Sequence, residues 1–204
     1  ACHSVTGMYN AMNAVEEAVT SALGQAGLQL GNITAVGAGM TGVDCDYEGP
    51  LLKDALRQHL GIEKIAVVND AISAMRSETV KTNSAVICAG SGLNVAGRKG
   101  RAVFTYGYYI ANENQGGTSL GKKTVQAVLD SHMGLKSETS LTESVLKYFG
   151  LSDVNSLLYK QVTQEITAAE YLGLPLLLEK AAMAGDEIAV SIWRDYGSVM
   201  ADYV

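Results

Sequence analysis

The chain has 204 residues, enough for one large domain or two small ones, and 48% of them are hydrophobic, ample for a core. A net charge of −6 without any Lys/Arg stripe excludes the electrostatic footprint of a nucleic-acid binder. Three scattered cysteines without a Cys-x-x-Cys pair exclude a disulfide framework or zinc site, and no apolar run reaches the ~18 residues of a membrane helix; with no signal sequence read at the start, a cytoplasmic protein is expected.

In chain order, residues 8–26 predict a helix, with Met8, Met12, Val15, Val19, Ala22 and Leu23 on one stripe. A strand is expected over 33–40, closed by Thr41-Gly42 and a polar loop reaching Pro50. A short amphipathic helix over 51–60 stops at Gly61, a buried strand follows over 64–69, and Asp70 opens another helix. This α-β-α-β-α alternation implies a parallel sheet. From Ser84 three strand-like runs succeed one another over 84–89, 93–98 and 101–110, as in an antiparallel meander, and the first reads as buried from Ala85 to Cys88. A long helix is expected from about Gly116 to His132. From Ser140 onward the pattern is nearly all helical, broken at Gly150, near Gly173 and Pro175, and at Gly185. The domain boundary is placed in the polar stretch 77–83, giving units of 1–80 and 81–204.

Three stretches can carry chemistry. Ser84-Ala-Val-Ile-Cys-Ala-Gly-Ser-Gly-Leu-Asn-Val-Ala-Gly97 is strand, glycine turn, strand; it leads into no helix and is neither a Walker A loop nor a dinucleotide-binding turn. Glycine-freed amides of Gly90 and Gly92, the latter at an expected positive φ, and the Ser91 hydroxyl suit a phosphate. Asn69-Asp70 stands where a strand meets a helix, beside the expected strand end Gly39-Met-Thr-Gly42; Asp70 is either a base toward a substrate hydroxyl or a helix cap. Glu113-Asn-Gln-Gly-Gly-Thr-Ser-Leu-Gly121 presents polar groups and glycines at a helix N-terminus, for an anion or hydroxyl or simply for packing. Asp44-Cys45-Asp46 with Glu48 lacks calcium-loop spacing and reads as a solvated acidic loop. His3, His59 and His132 show no pairing in sequence. Tyr106, Tyr108 and Tyr109 read as core or interface sooner than as a stacking platform.

Together these segments resemble the N-acetylglucosamine kinase family of the BadF/BadG/BcrA/BcrD group, within the actin/hexokinase ATPase superfamily. Val67-Val-Asn-Asp-Ala71 is similar to the family strand end whose Asp is the catalytic base. Ala89-Gly-Ser-Gly-Leu-Asn94 is similar to its second phosphate motif, Gly-Thr-Gly-Ser, with Ser91 at the Thr position. Gly39-Met-Thr-Gly42 is similar to a sugar-contacting segment, Glu113 to Gly121 to the Gly-Asp-Glu-Gly-Ser stretch with Glu113 replacing the usual Asp, and Ala184-Gly-Asp-Glu-Ile-Ala189 to a helical Gly-Asp-x-x-Ala signature. The resemblance implies an α/β, two-domain actin-like ATPase (ribonuclease H-like) fold, incomplete at both ends. The Asp-Gly-Gly-Gly-Thr first phosphate loop is expected before residue 1 and the Gly-Gly adenosine motif beyond Val204, and Cys2 stands where such kinases place an Asn.

The function implied is ATP-dependent phosphorylation of an amino sugar such as N-acetylglucosamine, by the complete chain. Asp70 is the implied base, Gly90, Ser91 and Gly92 hold phosphate, and Thr41, Gly42, Asn94 and Glu113 contact the sugar. ATP and Mg2+, the metal held with few direct protein ligands, are the implied cofactors, and a homodimer is the implied assembly. Two alternatives are an ATPase that activates a dehydratase, for which Cys2, Cys45 and Cys88 show no cluster pattern, and a catalytically silent sugar sensor.

Overall fold

The computed structural model describes residues 3–204, and Cys2 lies outside them. The chain divides into two compact units. One runs up to Ile87 and resumes over Asn94–Tyr108; the other takes Cys88–Leu93 and Tyr109–Val204.

The first unit opens with a short helix α1 (His3–Thr6) and the long helix α2 (Met8–Ala26). Strand β1 (Val36–Met40), helix α3 (Glu48–Leu60), strand β2 (Ile65–Asn69) and helix α4 (Asp70–Glu78) follow, and β1 and β2 pair in parallel from Val36↔Ile65 to Met40↔Asn69. The expected β-α-β order is present. The core lies on one face of this pair: Leu52, Leu56 and Leu60, four residues apart on α3, pack with Met40, Ile65, Ala11 and Met12. Each leucine so buried is worth about 1.5–3 kcal/mol in transfer free energy.

Several boundaries differ from the sequence pattern. Of the α2 stripe only Met12 is buried, beside Ala11 on the adjoining position; Met8, Val15, Val19 and Leu23 are partly covered, and Ala22 is exposed because the helix runs past the core. Helix α3 starts at Glu48 rather than Leu51. Pro50 falls in the first turn, where its missing N–H costs nothing. Strand β2 is covered on one face only: Ala66 is exposed and Val68 is 39% exposed, on the side away from the α3 leucines. On that side α4 crosses so closely that a Cβ on Gly39 would lie 2.5 Å from that of Ser73.

The meander is a three-stranded sheet in the order β3 (Asn83–Ala89), β4 (Leu93–Lys99), β5 (Ala102–Thr105). Only β4, in the middle, is well buried. Along β3 exposure alternates, leaving Ala85 and Ile87 open, so this run is not the buried strand its composition predicts. The third strand ends at Thr105, not Ile110. After the Tyr106 amide donates to the Val95 carbonyl (2.8 Å), the chain turns through Gly107 at φ 37° into a 3-10 turn. Tyr108 and Tyr109 there are 59% and 82% exposed, not core. Most of the meander belongs to the first unit, whereas the sequence places a boundary at 77–83. Asn94 of β4 and Gly107 are tied to residues 44 and 69 of that unit, and these ties outweigh the change from parallel to antiparallel pattern.

The second unit is helical. Helix α5 (Gly116–His132) is central and buries Leu120, Val125, Val128 and Leu129. Around it pack α6 (Leu141–Phe149), α7 (Val154–Val162), α8 (Ala168–Gly173), α9 (Pro175–Met183) and α10 (Glu187–Asp202). The breaks expected at Gly150, at Gly173–Pro175 and at Gly185 are present. One break the sequence reading passed over separates α7 from α8: Gln164 takes φ 58°, and Thr167 and Glu170 form a capping box.

Candidate functional site

In the first unit the parallel register brings the carboxyl ends of β1 and β2 level, so Thr41 and Asp70 are the next residues out on neighbouring strands. Ligands of open α/β sheets gather at such an edge. Asn69, 1% exposed, caps α4, its Oδ1 accepting from the Ala71 N–H at 2.9 Å. The same amide donates to the Val43 carbonyl (3.1 Å) and to Asp44 Oδ1 (2.9 Å), and accepts from Asn94 Nδ2 (3.1 Å). Asp70 also accepts from the Ala71 N–H at 2.9 Å, yet its side chain is exposed. The capping duty thus falls on Asn69, and the carboxylate of Asp70 is left at the strand end.

Around this hub the other predicted residues divide. Thr41 is exposed; Gly42 is buried at φ 80°, so it serves the strand-exit turn. Asn94 is already engaged at both ends of its amide, donating to Asn69 and accepting from the Gly107 N–H at 3.0 Å. Asp44 packs against Gly107 so tightly that a Cβ there would lie 2.2 Å from its carboxylate oxygen. Burial, then the charges of Glu48 and Asp70, push the Asp44 carboxyl above the ordinary Asp range against the pull of the Asn69 donor. Glu48 is only 2% exposed. Its Oε2 accepts from the Asp44 and Cys45 N–H groups at 2.7 Å each, and its Oε1 lies 3.8 Å from His3 Nε2. The acidic loop is therefore a folded turn closed by Glu48, and Asn69 and Asp44 are its overlooked organisers. Asn-Asp at a strand end was visible in the sequence; which of the two caps was not.

In the second unit the exposed turn Gly90-Ser91-Gly92 abuts the N-terminus of α5. The Gly117 N–H donates to the Gly90 carbonyl (2.8 Å), and the Thr118 N–H and Oγ1 approach the Ser91 carbonyl at 3.4 and 3.3 Å. Gln115, missed by the sequence reading, braces the turn: its Oε1 accepts from the Leu93 N–H (3.4 Å) while its Nε2 donates to the Ile110 carbonyl (2.8 Å). Gly116 must be glycine, with φ 60° and only 2.3 Å between a Cβ and the Gly92 carbonyl oxygen. Gly92 is not at the positive φ expected of it, nor is Gly90, and a Cβ would fit at either. The fold does not require glycine there. Glu113 is exposed on a 3-10 turn, Asn112–Asn114, while Asn114 and Gln115 are the half-buried members of that stretch.

Within the turn the Gly90 N–H donates to the Gly92 carbonyl at 2.9 Å, so that amide and the first N–H groups of α5 are spent on the turn itself rather than freed as the sequence suggests. Among the described residues no three His, Cys, Asp or Glu side chains gather to hold a metal, and no helix is long and apolar enough to cross a membrane.

No family model matches the chain. It is 25% identical over 184 residues to an N-acetylmuramic acid/N-acetylglucosamine kinase of Clostridium acetobutylicum, covering 89% of this chain but only 60% of that protein's length. Among solved structures, a candidate N-acetylglucosamine kinase of Chromobacterium violaceum matches with TM-score 0.71 and 18% identity over 98% of this chain and 69% of its own. A candidate N-acetylglucosamine kinase of Porphyromonas gingivalis matches with TM-score 0.61 and 21% identity, covering 90% and 64%. A ROK family glucokinase of Streptomyces griseus, solved with glucose and AMPPNP, matches with TM-score 0.53 and 18% identity over 93% and 67%. The chain carries the actin-like ATPase fold of the sugar kinases.

Proposed function

We propose that the protein is an ATP-dependent kinase of an amino sugar of the N-acetylglucosamine or N-acetylmuramic acid type, acting in the cytoplasm. The observation that supports it most is the division of labour between Asn69 and Asp70. Asn69 caps the helix, so the exposed Asp70 carboxylate is available to take the proton of an attacking sugar hydroxyl. Thr41, level with it on the neighbouring strand, would orient that sugar. In the second unit the Ser91 hydroxyl and the Ser91 and Gly92 N–H groups would hold phosphate, with the α5 dipole behind them, while the Gly90 N–H shapes the turn by donating to the Gly92 carbonyl at 2.9 Å. ATP, when bound, supplies the phosphoryl group; Mg2+ would be held by its phosphates and water, with the protein adding few direct ligands.

The test is Asp70→Asn in the full-length protein, assayed for sugar-dependent ADP release. Turnover should fall by roughly 10²-fold or more while the melting temperature and nucleotide affinity stay unchanged. Full turnover with a lowered melting temperature would make Asp70 a cap and remove the assignment. Nucleotide and sugar binding without turnover in the wild type would favour a silent sensor.

A further inference from the structure

Lys123 is a half-buried cation without a counter-charge. Its neighbour Lys122 is exposed and stays solvated, with its ammonium 5.9 Å from the Tyr171 ring centroid. Lys123 instead points its Nζ at Asn114 Oδ1, 3.4 Å away, and lies 5.8 Å from the ring centroid of Tyr196, a residue 1% exposed. Among the described residues no carboxylate pairs with it. Lysine is seldom removed from water unpaired, and an amide oxygen and a ring face compensate only part of the lost hydration. The segment that supplies its hydrogen-bond partner is short of negative charge. Residues 113–117 read Glu-Asn-Gln-Gly-Gly; the one acid, Glu113, is exposed, and the half-buried positions carry the amides Asn114 and Gln115. Asn114 adjoins Gln115, which braces the Gly90–Gly92 turn, so the cation stands one residue from the groups assigned to ligand binding.

We propose that Lys123 recognises an anionic oxygen of a bound ligand, with Asn114 steering its ammonium. The oxygen belongs either to a nucleotide phosphate or to a carboxylate on the sugar. This rests on the kinase reading above but is read separately from it.

The experiment compares wild type, Lys123→Gln and Lys123→Arg with ATP and either N-acetylglucosamine or N-acetylmuramic acid, which differ by a lactyl carboxylate. Lys123→Gln should weaken the anionic ligand by about tenfold, as expected for losing a charged hydrogen bond, with Arg restoring most of it and the melting temperature unmoved. A raised KM for ATP with both sugars identifies the phosphate; a lowered kcat/KM for N-acetylmuramic acid alone identifies the carboxylate. Asn114→Asp, which gives Lys123 an internal partner, should weaken the same ligand and serves if Lys123→Gln fails to fold. Unchanged constants in these variants, or no recovery with Arg, overturn the proposal. If the wild type phosphorylates neither sugar, the kinase reading fails and Lys123 is judged by titration calorimetry with ADP and with N-acetylmuramic acid. A tenfold loss for either supports it; equal or absent binding overturns it.

Discussion

At the scale of single residues, two glycines where the Gly90–Gly92 turn meets α5 have different reasons for being glycine. Gly116 is forced by the fold, since a side chain would overlap the Gly92 backbone and its φ is 60°. Gly92 has room for a Cβ, whose nearest neighbour would be Gln115 Oε1 at 3.7 Å. A methyl group at Gly92 should therefore leave the fold intact or stabilise it by about 0.4–1 kcal/mol, through a less flexible unfolded chain. It would still stand in the way of an anion approaching the amides. Gly92→Ala is expected to keep or raise the melting temperature while weakening nucleotide binding in titration calorimetry, whereas Gly116→Ala should lower the melting temperature. Undiminished nucleotide affinity in folded Gly92→Ala would remove the phosphate assignment.

At the scale of elements, capping explains a motif that composition alone left unexplained. In Ala184-Gly-Asp-Glu-Ile-Ala189, Gly185 takes φ 89° and Asp186 caps α10, its Oδ1 accepting from the Ala189 N–H at 3.0 Å. Its other oxygen gathers the Thr139 hydroxyl (2.8 Å), the Ser140 N–H (2.7 Å) and the Ser140 hydroxyl (2.7 Å), fastening the start of α6 to the start of α10. Burial by itself would raise the Asp186 carboxyl, but these four donors outweigh it and hold the group below its ordinary value of 3.8. A depressed folded-state value stabilises the protein above the unfolded value, and that contribution fades as pH falls through the folded one. Asp186→Asn, which keeps the shape but not the charge, should cost about 1 kcal/mol at pH 7 in urea unfolding. The gap to wild type should narrow below about pH 4. A gap independent of pH would mean that the carboxylate charge contributes nothing.

At the scale of the whole molecule, each unit has its own most protected element. Helix α5 is surrounded by five other helices, and α3 backs the only parallel strand pair among the described residues. Native-state hydrogen exchange should be slowest at amides of 120–129 and 52–60, and fastest in α1 and along the open side of β3, because local opening follows burial. Exchange in α5 as fast as in α1 would contradict the packing described.

The sequence by itself determined the order and type of nearly every element, because helix and strand periods and glycine or proline stops are local properties of the chain. It also marked Asp70, the Gly90–Gly92 turn and the glycines ahead of α5, where local chemistry departs from what a core needs. Only the tertiary structure decided which residues of those stretches do which work. That Asn69 rather than Asp70 caps α4, that Asn94 is spent bracing Asn69 and Gly107, and that Gln115 clamps the turn depend on partners as far as 22 and 25 positions away, or on a choice between adjacent side chains. One-sided exposure of β2 and β3 was equally beyond reach. An apolar run reads alike whether one face of its strand is covered or both, since burial is set by neighbours that are distant in the chain.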